Sequence, residues 1–187
     1  LRTAGLLNKA DLARDIGVSG PTAATWLSVL EASGTVAFLE PWFGNKSKSL
    51  VKRPKVYLAD VGLASFLVGI HDEKDFLDSP LAGSLWETMV FSELRRRRQS
   101  AAGAWSLWFW RDRSKEADFL EHRGGRFDLA DAKLAAGPSK DDTVQLRRVA
   151  EELPSGSVAS LSLICRTDRE YPLGDRARAL PLEADWP

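Results

Sequence analysis

With 187 residues, 44% of them hydrophobic and 28% charged, the chain has the composition of an ordinary globular protein and is long enough for one large core or two small ones. Its 26 Lys and Arg balance 26 Asp and Glu, so overall charge argues neither for nor against a polyanionic partner, and any nucleic-acid site must be a local patch. A single cysteine excludes an internal disulfide and fits a reducing, cytoplasmic setting; two histidines without a CxxC pair deny a structural zinc its usual ligands; and the longest apolar run, 61–70, is well short of the roughly 18 residues of a membrane span.

In chain order, Asn8 is placed to cap a short helix carrying Leu12 and Ile16, which Gly17 ends. Ser19 caps a second helix, with Pro21 early in it, Trp26, Leu27 and Leu30 as its inner face, and Gly34 beyond its end. This spacing fits a helix-turn-helix. Two strands follow, VAFLEPWF (36–43) and KVYLAD (55–60), flanking a basic loop, so that the first third reads as a winged helix. Asp60 caps an apolar helix to about Val68, and the polar stretch 71–80 reads as a linker. The expected domains are therefore 1–75 and 76–187. Because the chain starts at Leu1 and its only methionine is Met89, it is expected to be a fragment of something longer.

The second unit opens with an amphipathic helix pattern over 83–98, followed by WSLWFW (105–110), a strand buried on both faces. Two strand-like runs then meet at Gly124 and Gly125 in DFLEHRGGRFDLADAK. A helix is expected over 141–153, a strand over 157–166, and an irregular tail after it. Helices mixed with strands around an antiparallel pair predict an α+β fold, a mixed sheet with helical cover.

A two-residue turn at the glycines sets His122 opposite Phe127, Leu120 opposite Leu129, Asp118 opposite Asp131 and Glu116 opposite Lys133, all on one side of the sheet. A four-residue loop gives the same pairs, whereas a three-residue loop slips them by one. Carboxylates about 5 Å apart repel, so a cation is needed between them. Lys133 supplies one charge; magnesium or manganese, which favour oxygen ligands, would supply more. On the preceding helix, Glu87 shares a stripe with Val90, Phe91 and Leu94, so it lies near the buried face and needs a partner there. The plain alternative is a solvated strand margin in which Glu116 and Lys133 form a weak ion pair.

At these residues the chain resembles the PD-(D/E)XK nuclease superfamily, with Glu87 on the helix and Asp118, Asp131 and Lys133 on the hairpin. Asp131 stands where the superfamily usually has glutamate. More specifically, the chain is similar to the C-terminal module of bacterial and archaeal AAA-type ATPases that carries the domain of unknown function numbered 4143. That resemblance runs through LARDIGVSGPTAATWLSVLE, RPKVYLADVGLASFLVG, WETMVFSEL, the hairpin and the ending RALPL. It implies a restriction-endonuclease-like second domain in which Asp118 and Asp131 hold a magnesium or manganese ion, Lys133 orients or activates the attacking water, and Glu87 assists. Gln145 matches a glutamine of some of these nucleases. By the same resemblance a missing N-terminal part would carry the ATPase, and with no GxxxxGK[ST] here this stretch is not expected to bind ATP through a P-loop.

The expected partner is DNA, without sequence readout. Residues 19–25, which begin the second helix, include no Arg, Lys, Asn or Gln to read bases. Lys46, Lys48, Lys52, Arg53 and Lys55, clustered in and beside the wing loop, could hold phosphates. Two functions follow: a metal-dependent nuclease, or a non-catalytic DNA- or protein-interaction module on a nuclease-like scaffold.

Overall fold

The protein is described by a computed structural model covering residues 1–43, 51–100 and 106–186. Lys46, Lys48 and Trp105 lie outside the described residues. Two helices open the chain, α1 (Lys9–Ile16) and α2 (Gly20–Ala32), after a short strand β1 (Gly5–Leu6). The Asn8 side chain accepts from the Ala10 and Asp11 amides, Gly17 closes α1 at φ 72°, and the Ser19 hydroxyl accepts from the Thr22 amide. Strands β2 (Val36–Leu39) and β3 (Lys55–Leu58) form an antiparallel sheet with β1, in the order β1-β3-β2.

The inner face of α2 differs from the sequence expectation. Ala23 and Leu27 are buried, whereas Trp26 and Leu30 are 51% and 39% exposed. Leu27 packs with Leu7, Val36 and Val56, a core too small to cover the adjacent apolar stripe. The stretch read as a linker also contains a helix, α4 (Glu73–Asp78), capped by Asp72, after α3 (Val61–Leu67), which Asp60 caps.

Helix α5 (Ala82–Ser100) leads to a six-stranded sheet in the order β4-β5-β6-β7-β9-β8. Its strands are β4 (Ser106–Arg111), β5 (Glu116–Arg123), β6 (Arg126–Lys133), β7 (Val158–Cys165), β8 (Tyr171–Pro172) and β9 (Ala177–Leu180). The sheet is mixed: β4 through β6 are antiparallel neighbours, while β6, β7 and β9 run parallel. Parallel neighbours need a crossover, and α6 (Val144–Ala150) supplies it between β6 and β7. The tail is thus not irregular, since β8 and β9 extend the sheet. Among the described residues no helix is long and apolar enough to cross a membrane.

Two apolar layers sandwich the sheet. On one side Leu146 and Val149 of α6 pack with Leu120, Leu129 and Leu163; on the other, Trp86, Val90 and Phe91 of α5 pack with Phe119, Ala130 and Ile164. Ala37, Leu39 and Tyr57 of the first sheet join the α5 layer, with the Tyr57 and Phe91 rings stacked at 4.0 Å. The chain before β3 also covers the β4 edge: Trp42 N donates to Phe109 O, and Val51 N to Arg111 O. Residues on both sides of the 71–80 segment therefore share one core.

The hairpin forms through the two glycines, at φ 57° and 79°, and pairs His122 with Phe127 and Leu120 with Leu129. Positive φ at both positions suits the twist of a two-residue turn. Glu121 is buried between Leu107 on one neighbouring strand and Asp128 on the other, and Asp128 accepts from the Ser160 hydroxyl at 2.6 Å. Burial, reinforced by the charge of Asp128, pushes the Glu121 carboxyl up to about 8.

Two outcomes are expected from this packing. Leu27→Ala should lower the unfolding free energy in urea by about 2–5 kcal/mol, and Trp26→Ala by no more than about 0.5 kcal/mol; comparable losses would contradict the packing of α2. Between the ordinary glutamate value of 4.5 and about 8, the folded chain keeps a proton on Glu121 that the unfolded chain has released, so stability falls as pH rises through that window. Glu121→Gln should remove on the order of 2 kcal/mol of that fall, measured by urea unfolding at about pH 5 and about pH 8.

Candidate functional site

Strict alternation along β5 would put Ala117 on the same side as Phe119. Instead Trp108 pairs with Leu120 and Trp110 with Ala117, so two steps on β4 match three on β5. This is a bulge, and it rephases the strand: Ala117 joins Leu120 in the α6 layer, while Phe119 lies in the α5 layer. The expectation that Glu116 and Asp118 share a face with Leu120 is corrected by that extra residue. Both carboxylates reach instead toward β3.

There they meet Lys55, the first residue of β3, which is 1% exposed. Its Nζ lies 2.9 Å from Glu87 Oε1, 2.8 Å from Glu116 Oε1 and 2.9 Å from Asp118 Oδ1, and 5.6 Å from the centre of the Phe109 ring. The assignment of Lys55 to an exposed phosphate-binding loop is therefore corrected, because its ammonium is spent inside the fold. Burial pulls the Lys55 ammonium toward losing its proton, but the charges of Asp118, Glu87 and Glu116 outweigh it and hold its pKa above the ordinary value. Glu116 also takes Arg111 at 3.3 Å, so the expected pair with Lys133 is replaced by these two cations.

Glu87 does have the buried partners its apolar stripe demands. Besides Lys55, the Tyr57 hydroxyl donates to its Oε1 at 2.7 Å. Burial and the neighbouring Asp118 push the Glu87 carboxyl up to about 7 against the opposing pull of Lys55. Asp131, on β6, accepts from the Asp118 amide at 3.1 Å, and Asp118 Oδ2 accepts from the Ala132 amide at 3.1 Å. Burial, then the charge of Asp118, raises the Asp131 carboxyl well above the ordinary aspartate range.

Asp118, Asp131, Lys133 and Gln145 come together on one open cleft of about 300 Å³, with Arg111 and Lys115 on its rim. Of these, Arg111 pairs with Glu116 and Lys115 with Glu152, while Lys133 makes no ion pair among the described residues. Lys52 and Arg53 are exposed, just after Val51, whose amide bonds the Arg111 carbonyl at the cleft edge. Among the described residues no group of three or more His, Cys, Asp or Glu side chains is arranged to hold a metal ion. The oxygens that could serve a hard cation are those of Asp118 and Asp131, and Lys55 already neutralises the first. Lys55 itself was visible in the sequence only as one more basic residue, beside a loop of them.

A family model described as Domain of unknown function (DUF8612) matches residues 1–74, and one described as Domain of unknown function (DUF4143) matches residues 82–184. Two curated relatives, Uncharacterized protein Mb2031c of Mycobacterium bovis and Uncharacterized protein Rv2008c of Mycobacterium tuberculosis, are each 29% identical over 179 residues. The match takes in 95% of this chain and 38% of each relative, so the chain spans well under half of their length. No solved structure matches the chain. Since the second family model covers more than half of the residues, the sheet and cleft described above are those of a protein that belongs to the DUF4143 family.

Proposed function

We propose that the chain is the C-terminal part of an AAA-type ATPase, a winged helix joined to a PD-(D/E)XK-like domain, and that it holds the DNA backbone across the cleft without cleaving it. The observation that carries this reading is the set of cations that lie at the cleft and beside it. Lys133 lines the cleft and makes no ion pair among the described residues, and the exposed Lys52 and Arg53 follow the residue tied to its edge, whereas Arg111 and Lys115 are paired with glutamates and the lining also holds Asp112, Glu116, Asp118 and Asp131. Lysine and arginine around a groove attract phosphates irrespective of sequence. Base readout has no comparable support, since α2 exposes Trp26, Val29 and Leu30 and bears no basic residue.

Binding is favoured over cleavage because the ammonium of Lys55 sits 2.9 Å from Asp118 and takes the place of a counter-ion. The second reading, metal-dependent phosphodiester cleavage, draws on Asp118, Asp131 and Lys133 sharing one cleft. A magnesium or manganese ion held by the two aspartates would supply a hydroxide nucleophile and stabilise charge on the phosphate. Lys133 would then orient the water and Glu87 would stay behind Asp118, fixing Lys55.

Fluorescence polarisation with a labelled duplex tests the first reading. The Lys52→Ala, Arg53→Ala double variant should bind at least tenfold more weakly than the unaltered chain and with a shallower salt dependence. Asp131→Asn should bind as well as the unaltered chain, because burial already favours the neutral acid. An unchanged affinity in the double variant would sink the proposal. Conversion of the duplex to fragments with manganese, abolished by Asp118→Ala, would replace it with the nuclease reading.

A further inference from the structure

Where α3 and α4 pack on α5, a groove of about 380 Å³ opens to the surface. Ile70, which follows α3, Phe76 of α4, and Trp86 and Met89 of α5 give it an apolar lining. The Trp86 indole N–H already donates to the Ile164 carbonyl at 3.1 Å, so what it offers the groove is apolar. Apolar surface continues beyond the groove. On the last turn of α3, next to the lining residue Ser65, Phe66 and Leu67 are 71% and 59% exposed, and Leu77 of α4 is exposed as well. Apolar area that runs on from a groove in this way marks a contact site for another protein. The side formed by α4 is acidic: Asp72, Glu73, Asp75 and Asp78 stand close together with a single lysine among them. Lys74 pairs with Asp78 at 3.6 Å and Arg166 with Glu73 at 2.9 Å, which leaves Asp72 and Asp75 bonded to backbone amides but without a cation among the described residues.

We propose that the groove between α3, α4 and α5 docks a basic amphipathic helix of a partner protein. Apolar side chains of that helix enter against Phe76 and Met89, and its lysines or arginines meet Asp72 and Asp75. The acidic side repels nucleic acid and acidic peptides alike, so charge selects the partner while the apolar lining holds it. Anchors at three- and four-residue spacing, the pattern of one helix face, suit a groove of this shape. None of these residues lines the cleft that holds Asp118 and Asp131, so the two surfaces act separately.

Met89 lines the groove and is the only methionine, so carbon-13 labelling of the methionine methyl gives a single NMR signal that reports occupancy. The probes are two synthetic helical peptides that share a stripe of leucines and differ on the opposite face, which carries lysine in one and glutamate in the other. The lysine peptide should move the Met89 signal saturably, and the glutamate peptide should need roughly tenfold higher concentration for the same shift. Asp72→Asn combined with Asp75→Asn removes both charges but keeps an acceptor for each backbone amide, and should weaken the lysine peptide about threefold. Phe66→Ser, at an exposed position, should weaken both peptides. A Met89 signal that neither peptide moves would overturn the proposal, as would an equal response to the two peptides or affinities untouched in both variants. A signal that moves on dilution of the protein alone, together with its sedimentation, would overturn it in favour of a second copy in the groove.

Discussion

A single buried ammonium organises this protein. Lys55 lies within 2.9 Å of three carboxylates that come from two elements of the second unit, while its backbone belongs to the middle strand of the first sheet. An ion pair of this kind adds little net stability, because desolvation consumes most of the Coulombic gain, but breaking it on one side is costly. Its effect is therefore positional. It dictates how the first sheet meets α5, and the apolar contacts of Tyr57 with Phe91, and of Ala37 and Leu39 with the α5 layer, follow that register.

The same cluster decides the electrostatics of the cleft. Asp118 stands between Lys55 on one side and Asp131 on the other, so the two aspartates are not equivalent. Each accepts from a backbone amide, but the first also has the Lys55 ammonium in contact, whereas the second is buried beside a negative neighbour and is driven toward its neutral form. Glu87, behind them, is balanced between burial and Lys55 with its carboxyl near 7. The bulge in β5 makes this possible, since without the extra residue between Ala117 and Leu120 the side chains of Glu116 and Asp118 would be rephased away from β3.

Much of the site could be read from local pattern. The glycine pair gives a two-residue turn, and with it the cross-strand partners of Leu120 and His122, because strand pairing next to a tight turn is a local matter. The helical stripe of Glu87 likewise located a carboxylate at the buried face, and it has buried partners there. Local pattern failed where a distant element decided the outcome. Trp26 and Leu30 have the spacing of an inner face but are left 51% and 39% exposed, whereas β8 and β9 look irregular until β7 offers an edge for β9 to pair with.

By itself the sequence determined the principal helices and the strands up to β7, several of their caps, the hairpin turn and the presence of several acids within reach of one another, all consequences of interactions between residues close in the chain. Tertiary structure alone decided which cation those acids receive. A lysine thirty-two residues before Glu87 and sixty-three before Asp118 has no periodic relation to either. Only the docking of one sheet on another element's helix brings it there, and only burial makes that charge too costly to leave unpaired.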